Sequence, residues 1–330
     1  MIGSSIVVLT MQRQTQRQIA RALHASGTRA TFVHTREELA QTIADGPPDL
    51  AILDCDGLSV EQTEQMLVAF DAVRARTPVI LVSTGEDKGT LLGLVQRYDV
   101  GNLLAKRGAL RAAYPLLDER ELLVTCEKVL SHDIFGLAKY IGSWGIVLRE
   151  QKLARMCDKS RFLEEFEHYV TELDCPPSVI HEIVTVADEL IINAAVHAPR
   201  LPDGSPKYEA LGARPDLVLA PGEEVTITYG CDGQTLMLSV SDNFGRLARS
   251  TLHAYISRAF QPAPLDLESK ASGAGLGLSF AARSIHQLVF NIQDGVRTEA
   301  IAGWNLRVPN AREFGQVGKS LNVFWLSAAG

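Results

Sequence analysis

Glu189 and Asn193 stand four residues apart in the run Asp188-Glu189-Leu190-Ile191-Ile192-Asn193-Ala194-Ala195-Val196-His197. On a helix that spacing puts both side chains on one face, a turn apart. An Asn carbonyl can complete the octahedral shell of Mg²⁺, and a Glu one turn earlier can orient or deprotonate an attacking group. The bland alternative is the polar face of a surface helix. The flanking residues are apolar nearly all round, however, and a polar pair inside a buried helix needs a partner. Further along, Ser241-Asp242-Asn243-Phe244-Gly245 ends an apolar strand. A carboxylate there can accept a hydrogen bond from an amino group such as the N6 of adenine. Later still comes Ser272-Gly273-Ala274-Gly275-Leu276-Gly277-Leu278. Gly273, Gly275 and Gly277 let backbone amides approach phosphate oxygens at the start of a helix. Taken alone this string also fits a dinucleotide loop, but such a loop should follow the first strand of a βαβ unit.

The elements that must position these groups are legible from periodicity. Residues 162–173 read as an amphipathic helix, and residues 179–197 as a long helix with Ser178 as candidate N-cap. Residues 199–223 read as an irregular insert. Val225–Tyr229 and Leu236–Ser241 alternate as an antiparallel hairpin around Asp232-Gly233. A helix is expected over 251–260 and another over 279–287. The first 110 residues instead alternate short Val/Ile/Leu runs (6–9, 30–33, 50–53, 79–82, 103–105) with helical stretches. That pattern predicts a parallel, doubly wound sheet of the flavodoxin-like kind. Residues 116–131 read as a helix whose apolar stripe suffices to pack on either domain or on a second copy, so a homodimer stays open. The tail at 321–326 is a last strand or a docking segment.

In combination, Glu-x-x-x-Asn-Ala on a helix, Asp-Asn-x-Gly after a strand and Gly-x-Gly-Leu-Gly-Leu resemble the three nucleotide boxes of the histidine-kinase/Hsp90/gyrase (GHKL) ATPase superfamily. The resemblance spans residues 164–302 and is nearest the anti-sigma-factor serine kinase branch. It implies an α/β two-layer sandwich that binds ATP and Mg²⁺. Glu189 would be the catalytic or water-orienting acid, Asn193 the Mg²⁺ ligand and Asp242 the adenine reader. Gly245 would belong to the Asp242 turn, Thr298, on a closing strand over 295–301, would sit beside Asp242, Gly273, Gly275 and Gly277 would hold phosphates, and residues 246–272 would form a lid. The sequence departs at Phe244, where a flexible glycine is usual.

The first domain resembles response-regulator receivers. Pro48-Asp49-Leu50-Ala51-Ile52-Leu53-Asp54 matches the strand ending in a phosphoacceptor, Ser83 the hydroxyl position and Lys106 the phosphoryl-pairing lysine. The family's acidic pair is replaced by Thr10-Met11, so the carboxylates that would hold Mg²⁺ are missing. A pseudo-receiver is expected, with Asp54 as a strand-end carboxylate. Ser131-His132-Asp133-Ile134-Phe135-Gly136 resembles a histidine-kinase phosphoacceptor box, which makes His132 a second candidate phosphoacceptor. The stretch from His132 to Asn193 is nevertheless too short for two long dimerisation helices, and Gly136, Gly142 and Gly145 interrupt it.

The expected organisation is a receiver-like domain over 1–114, a helical connector over 115–160 and an ATP-binding domain over 161–330. Net charge is −7. The first 115 residues are charge-balanced, so the acid excess falls on the ATP half, where phosphates must meet backbone amides or a metal. This argues against a nucleic-acid partner. Five scattered cysteines without a CxxC pair suit a reducing compartment. With no leader and no apolar run approaching membrane length, a cytoplasmic protein without a membrane anchor is expected. The function implied is signalling through a protein partner, as an ATP-dependent kinase or switch. Two alternatives stand beside it: a non-catalytic adaptor, and a histidine kinase labelled on His132.

Overall fold

The computed structural model describes residues 3–71, 77–85, 88–108, 115–141, 145–252, 285–307, 314 and 317–327. The chain forms two compact units, Met1–Ile134 with Gly318–Phe324, and Phe135–Val317 with Trp325–Gly330.

In the first unit, strands without a polar face must be covered on both sides. β1 (Ser5–Leu9), β2 (Arg29–Val33), β3 (Leu50–Asp54), β4 (Val79–Ser83) and β5 (Asn102–Arg107) pair in parallel, in the order β2-β1-β3-β4-β5. This is the flavodoxin-like, receiver-type order. Between the strands run α1 (Arg13–Ala25), α2 (Arg36–Asp45), α3 (Val60–Asp71) and α4 (Lys88–Arg97). Alternate strand residues feed two cores. Val7, Leu9, Leu53 and Leu81 pack with Leu39, Phe70 and Leu94, whereas Ile6, Val8, Ile52 and Val82 pack with Ile19, Leu23, Leu122 and Cys126.

The short strand β6 (Leu116–Leu117) pairs with β5, and α5 (Glu119–Ser131) follows. Its N-cap, Asp118, accepts a hydrogen bond from the Glu121 N–H. Sequence reading placed 115–160 in a connector. Instead α5 lies against α1, β3 and β5 with Leu122 and Cys126 fully buried, and the division between units falls at Ile134. An apolar stripe predicts that a helix packs, but not on which surface. The opening residues of β12 (Ser320–Leu326) add antiparallel to β5, pairing Leu321 with Leu103 and Asn322 with Asn102. They close an edge that would otherwise leave unpaired backbone groups.

The second unit holds β7 (Arg149–Leu153), α6 (Cys157–Thr171), α7 (Pro177–Ile192), β8 (Val225–Cys231), β9 (Thr235–Asp242), β10 (Gln287–Gln293) and β11 (Arg297–Asn305). The sheet is antiparallel throughout, in the order β10-β11-β9-β8-β7. Phe162 and Phe166 of α6 meet the Tyr229 ring of β8 edge-on, at centroid distances of 5.9 and 5.1 Å, which fixes the helix layer on one sheet face.

Three local expectations change. The long helix starts at Pro177, at a position where proline's fixed φ already suits a helix, so Ser178 is not the cap. Gln287 begins β10 rather than ending a helix over 279–287. The polar strand β7 was not anticipated, because its Arg-Glu-Gln-Lys run has no apolar alternation.

Leu122→Ala should cost the first unit about 2–5 kcal/mol, the range for opening a cavity in a packed core. Urea denaturation monitored on that unit checks this; a loss near ±0.5 kcal/mol, as at surface sites, would mean α5 is a free connector.

Candidate functional site

At the end of α7 the helix widens into a π turn over Asn193–His197, closed by the Ala198 N–H donating to the Asn193 carbonyl at 2.9 Å. Such single-turn slips are frequent where a side chain must be re-aimed. Asn193 Nδ2 donates to Glu189 Oε1 at 3.4 Å, so the i, i+4 pair meets as its spacing predicts. The other end of that amide differs: Asn193 Oδ1 is buried and has no hydrogen-bond partner among the described residues. An unmet acceptor of this kind costs about 1–3 kcal/mol unless something outside the protein satisfies it.

Asn193 opens into a cavity of about 510 Å³ between this helix end and the sheet, a volume that suits a small-molecule ligand. Its walls are mixed, with apolar Leu190 and Ala194 on the helix side and Val240, Phe290 and Ala300 on the sheet side. His197, Arg200 and Arg246 also line it, and Asp242 and Thr298 sit at its sheet side. Asp242 is the last residue of β9 and pairs directly with Thr298 of β11. It is 6% exposed. Burial pushes its carboxyl up to about 6, against the opposing pull of backbone N–H groups from Phe244, Gly245 and Thr298 and the Thr298 hydroxyl. The Phe244 N–H donates to Oδ1 at 2.9 Å.

Gly245 is fixed by geometry. Its φ is +58°, and a Cβ there would lie 1.9 Å from the Gln293 carbonyl oxygen. Only glycine tolerates both conditions. Phe244 needs no such freedom, because it is not among the described non-glycine residues with positive φ. The departure at Phe244 therefore introduces no backbone strain. Gly273, Gly275 and Gly277, with most of the expected lid, lie outside the described residues.

The first unit's cluster is closed by its own side chains. Asp54 is wholly buried at the end of β3. Its Oδ2 accepts from the Thr10 hydroxyl at 2.6 Å and its Oδ1 from Lys106 Nζ at 2.7 Å. Lys106 also pairs with Asp56 at 2.8 Å. Asp56 in turn accepts from the Ser83 hydroxyl and from the Thr84 N–H and hydroxyl, at 3.3, 2.9 and 3.0 Å. Thr10 thus fills with a hydroxyl donor the position where an acid would help hold a metal. Sequence reading singled out Asp54, Ser83 and Lys106; Thr84 was missed, since a Ser-Thr pair after a strand carries no signal of its own. His132 is exposed at the C-cap of α5 in the left-handed conformation, φ +59°, and so is off the helix.

No family model matches this chain, and no curated protein does. Among solved structures, it is similar to a response regulator from Thermotoga maritima at 18% identity, over 39% of this chain and 98% of that one, with a TM-score of 0.32. It is similar to the signal receiver domain of an HD domain-containing protein from Pseudomonas fluorescens Pf-5 at 17% identity, over 39% and 88%, with a TM-score of 0.34. It is also similar to a response regulator receiver protein from Burkholderia phymatum at 19% identity, over 39% and 95%, with a TM-score of 0.32. The receiver-type fold of the first unit rests on its own strand order and parallel register. Among the described residues, no helix is long and apolar enough to cross a membrane.

Lys106→Met should destabilise the first unit by about 3–5 kcal/mol, because it strands the buried Asp54 carboxylate and removes the cation from the half-buried Asp56; denaturant melts at neutral pH check this. The raised Asp242 carboxyl gives a second expected outcome. Its folded value, about 6, exceeds the ordinary aspartate value of 3.8. Its stabilising contribution is therefore full below about 3.8 and is lost as pH rises through about 6. Asp242→Asn should consequently gain stability over wild type at pH 7.5, by up to about 3 kcal/mol. The gain should vanish near pH 4, and urea melts across that range would show a flat difference if the carboxyl were unperturbed.

Proposed function

We propose that the second unit binds Mg·ATP in the cavity between α7 and β9, and that the protein acts on a protein partner in a signalling pathway. Asn193 carries the reading. Its buried, unmet carbonyl oxygen is a hard ligand of the kind Mg²⁺ takes, beside a cavity of mixed polarity that ends at a buried carboxylate. Asp242 would accept a hydrogen bond from the adenine amino group once ionised, with Thr298 orienting it. Asn193 would hold Mg²⁺ together with phosphate oxygens and water. Bound Mg²⁺ would neutralise charge on the phosphates. Gly273, Gly275 and Gly277 are assigned to the phosphates by their sequence motif alone.

Glu189 accepts a hydrogen bond from Asn193 and stands one turn from it. In a kinase it would orient or deprotonate an acceptor hydroxyl; in a switch it would only position Asn193. The first unit has a receiver-type fold, and both oxygens of Asp54 are engaged by Thr10 and Lys106. We therefore assign that unit to docking or regulation rather than to phosphoryl acceptance.

Thermal melts with and without Mg·ATP test the site. At 100 times its dissociation constant a ligand stabilises the native state by about 2.7 kcal/mol, a shift of about 5–10 °C for a unit of this size. Wild type should shift and Asp242→Ala should not; absence of any wild-type shift refutes the ATP reading. Where binding holds, label transfer from γ-labelled ATP to a co-purified partner that is lost in Glu189→Ala identifies a kinase. Binding without transfer or phosphate release identifies a switch.

A further inference from the structure

Behind the proposed nucleotide site, on the opposite face of the sheet, lies a buried polar patch that the site itself does not use. Side chains alternate along β9 and β11, so Asp242 and Thr298 face the cavity while Ser241, Ser239 and Glu299 point the other way. Glu299 is 2% exposed. Its Oε1 accepts from the Ser239 hydroxyl at 2.7 Å, and its Oε2 from Asn291 Nδ2 at 2.8 Å and from the Gly136 N–H at 3.0 Å. Gly136 belongs to a segment, residues 135–141, that covers this face with Leu137, Tyr140 and Ile141 buried. A second link starts one residue earlier. Arg297 stacks its guanidinium on the Phe135 ring, 4.7 Å from the centroid, and donates from Nε to the Ser241 hydroxyl at 2.8 Å. Ser241 Oγ then donates to the Thr298 carbonyl at 3.0 Å.

We propose that residues 135–141 form a strap latched by Glu299, and that docking of this strap sets the nucleotide affinity of the cavity on the other face. The inference rests on the Mg·ATP reading of that cavity. Both links end on the immediate neighbours of the residues that matter. Glu299 follows Thr298 on β11, and Ser241 precedes Asp242 on β9. Releasing the strap removes the Gly136 N–H from Glu299 and the Phe135 ring from Arg297, so β9 and β11 are held from behind only by their own side chains and the Thr298–Asp242 alignment loosens. The strap begins four residues beyond the last residue of α5, so an event in the first unit can reach it through the covalent chain. Glu299 is on this account a positioning residue and touches no ligand. Coupling of this kind is reciprocal: if strap docking tightens nucleotide, nucleotide must tighten the strap.

The test uses the full chain, with Mg·ATP as the probe, calorimetric titration at 25 °C for affinity and amide hydrogen exchange at residues 135–141 for the strap. Glu299→Ala should weaken Mg·ATP by about 5–50-fold, within the usual range of coupling between sites. Glu299→Gln, which keeps an acceptor oxygen, should recover part of the loss. Phe135→Ala, which leaves the sheet untouched, should move affinity in the same direction and serves where Glu299→Ala fails to fold. In wild type, Mg·ATP should slow exchange at Gly136 and Leu137, and the effect should disappear in the variants. Unchanged affinity in folded variants, or exchange at 135–141 indifferent to Mg·ATP, overturns the strap while leaving the nucleotide site standing. Failure of wild type to bind Mg·ATP overturns the nucleotide reading, and the strap with it.

Discussion

A carboxylate buried at the end of a strand, with only neutral groups to solvate it, constrains everything around the cavity. Asp242 receives N–H groups from the turn that follows and from Thr298 opposite, and still remains protonated more readily than an exposed acid. For the Phe244 N–H to reach it, the chain must fold back within two residues, which places Gly245 against the Gln293 carbonyl. That contact ties the Asp242 turn to the end of β10, and the Gly295 N–H adds a bond to the Gly245 carbonyl at 3.1 Å. The turn, the β10–β11 connection and the pairing of Thr298 with Asp242 are thus one arrangement. No part of it can relax without exposing or starving the carboxylate.

The chain holds a second buried strand-end carboxylate, and the contrast separates the two units. Asp54 has an ammonium at 2.7 Å, a hydroxyl on its other oxygen and no access to solvent. A charge so fully compensated acts as a structural anchor: it is costly to break and has no free valence to offer. Asp242 faces a cavity, and the donors it receives are N–H and O–H groups without charge. Such a group gains from a ligand that donates a hydrogen bond, because ionisation and binding then support each other. The same side chain at the same kind of position meets opposite surroundings, and the chief difference is one lysine.

Much of this was legible from sequence where chemistry and periodicity coincide. The apolar strand runs of the first unit predict a covered parallel sheet, and β1, β3, β4 and β5 are buried nearly throughout while β2, at the edge, is partly exposed. Glu189 and Asn193 were found because helical spacing brings them together wherever the helix packs. The assignment of α5 was not legible: Leu122 and Cys126 mark a buried stripe, but the surface that receives it is a tertiary fact. β7 was hidden because Arg149–Leu153 is a polar edge strand recognised only through its pairing with β8. Thr10 could be read as a missing acid, yet its bond to Asp54 required the geometry. Glu299 gave no signal at all, since a lone Glu in an alternating strand reads as a solvent-facing residue.

That last omission bears on why the back of the sheet is polar. Burying a carboxylate among neutral donors contributes little net stability, and an apolar side chain at 299 would pack at least as well. Apolar packing, however, is indifferent to small slips, whereas hydrogen bonds to Ser239, Asn291 and Gly136 require one register. A slip of one residue in β11 would turn Glu299 into the cavity and Thr298 away from it. The register that satisfies Glu299 is the one that sets Thr298 opposite Asp242. The polar patch on one face therefore specifies the alignment that the cavity on the other face depends on, and the strap that completes the patch is in a position to govern it.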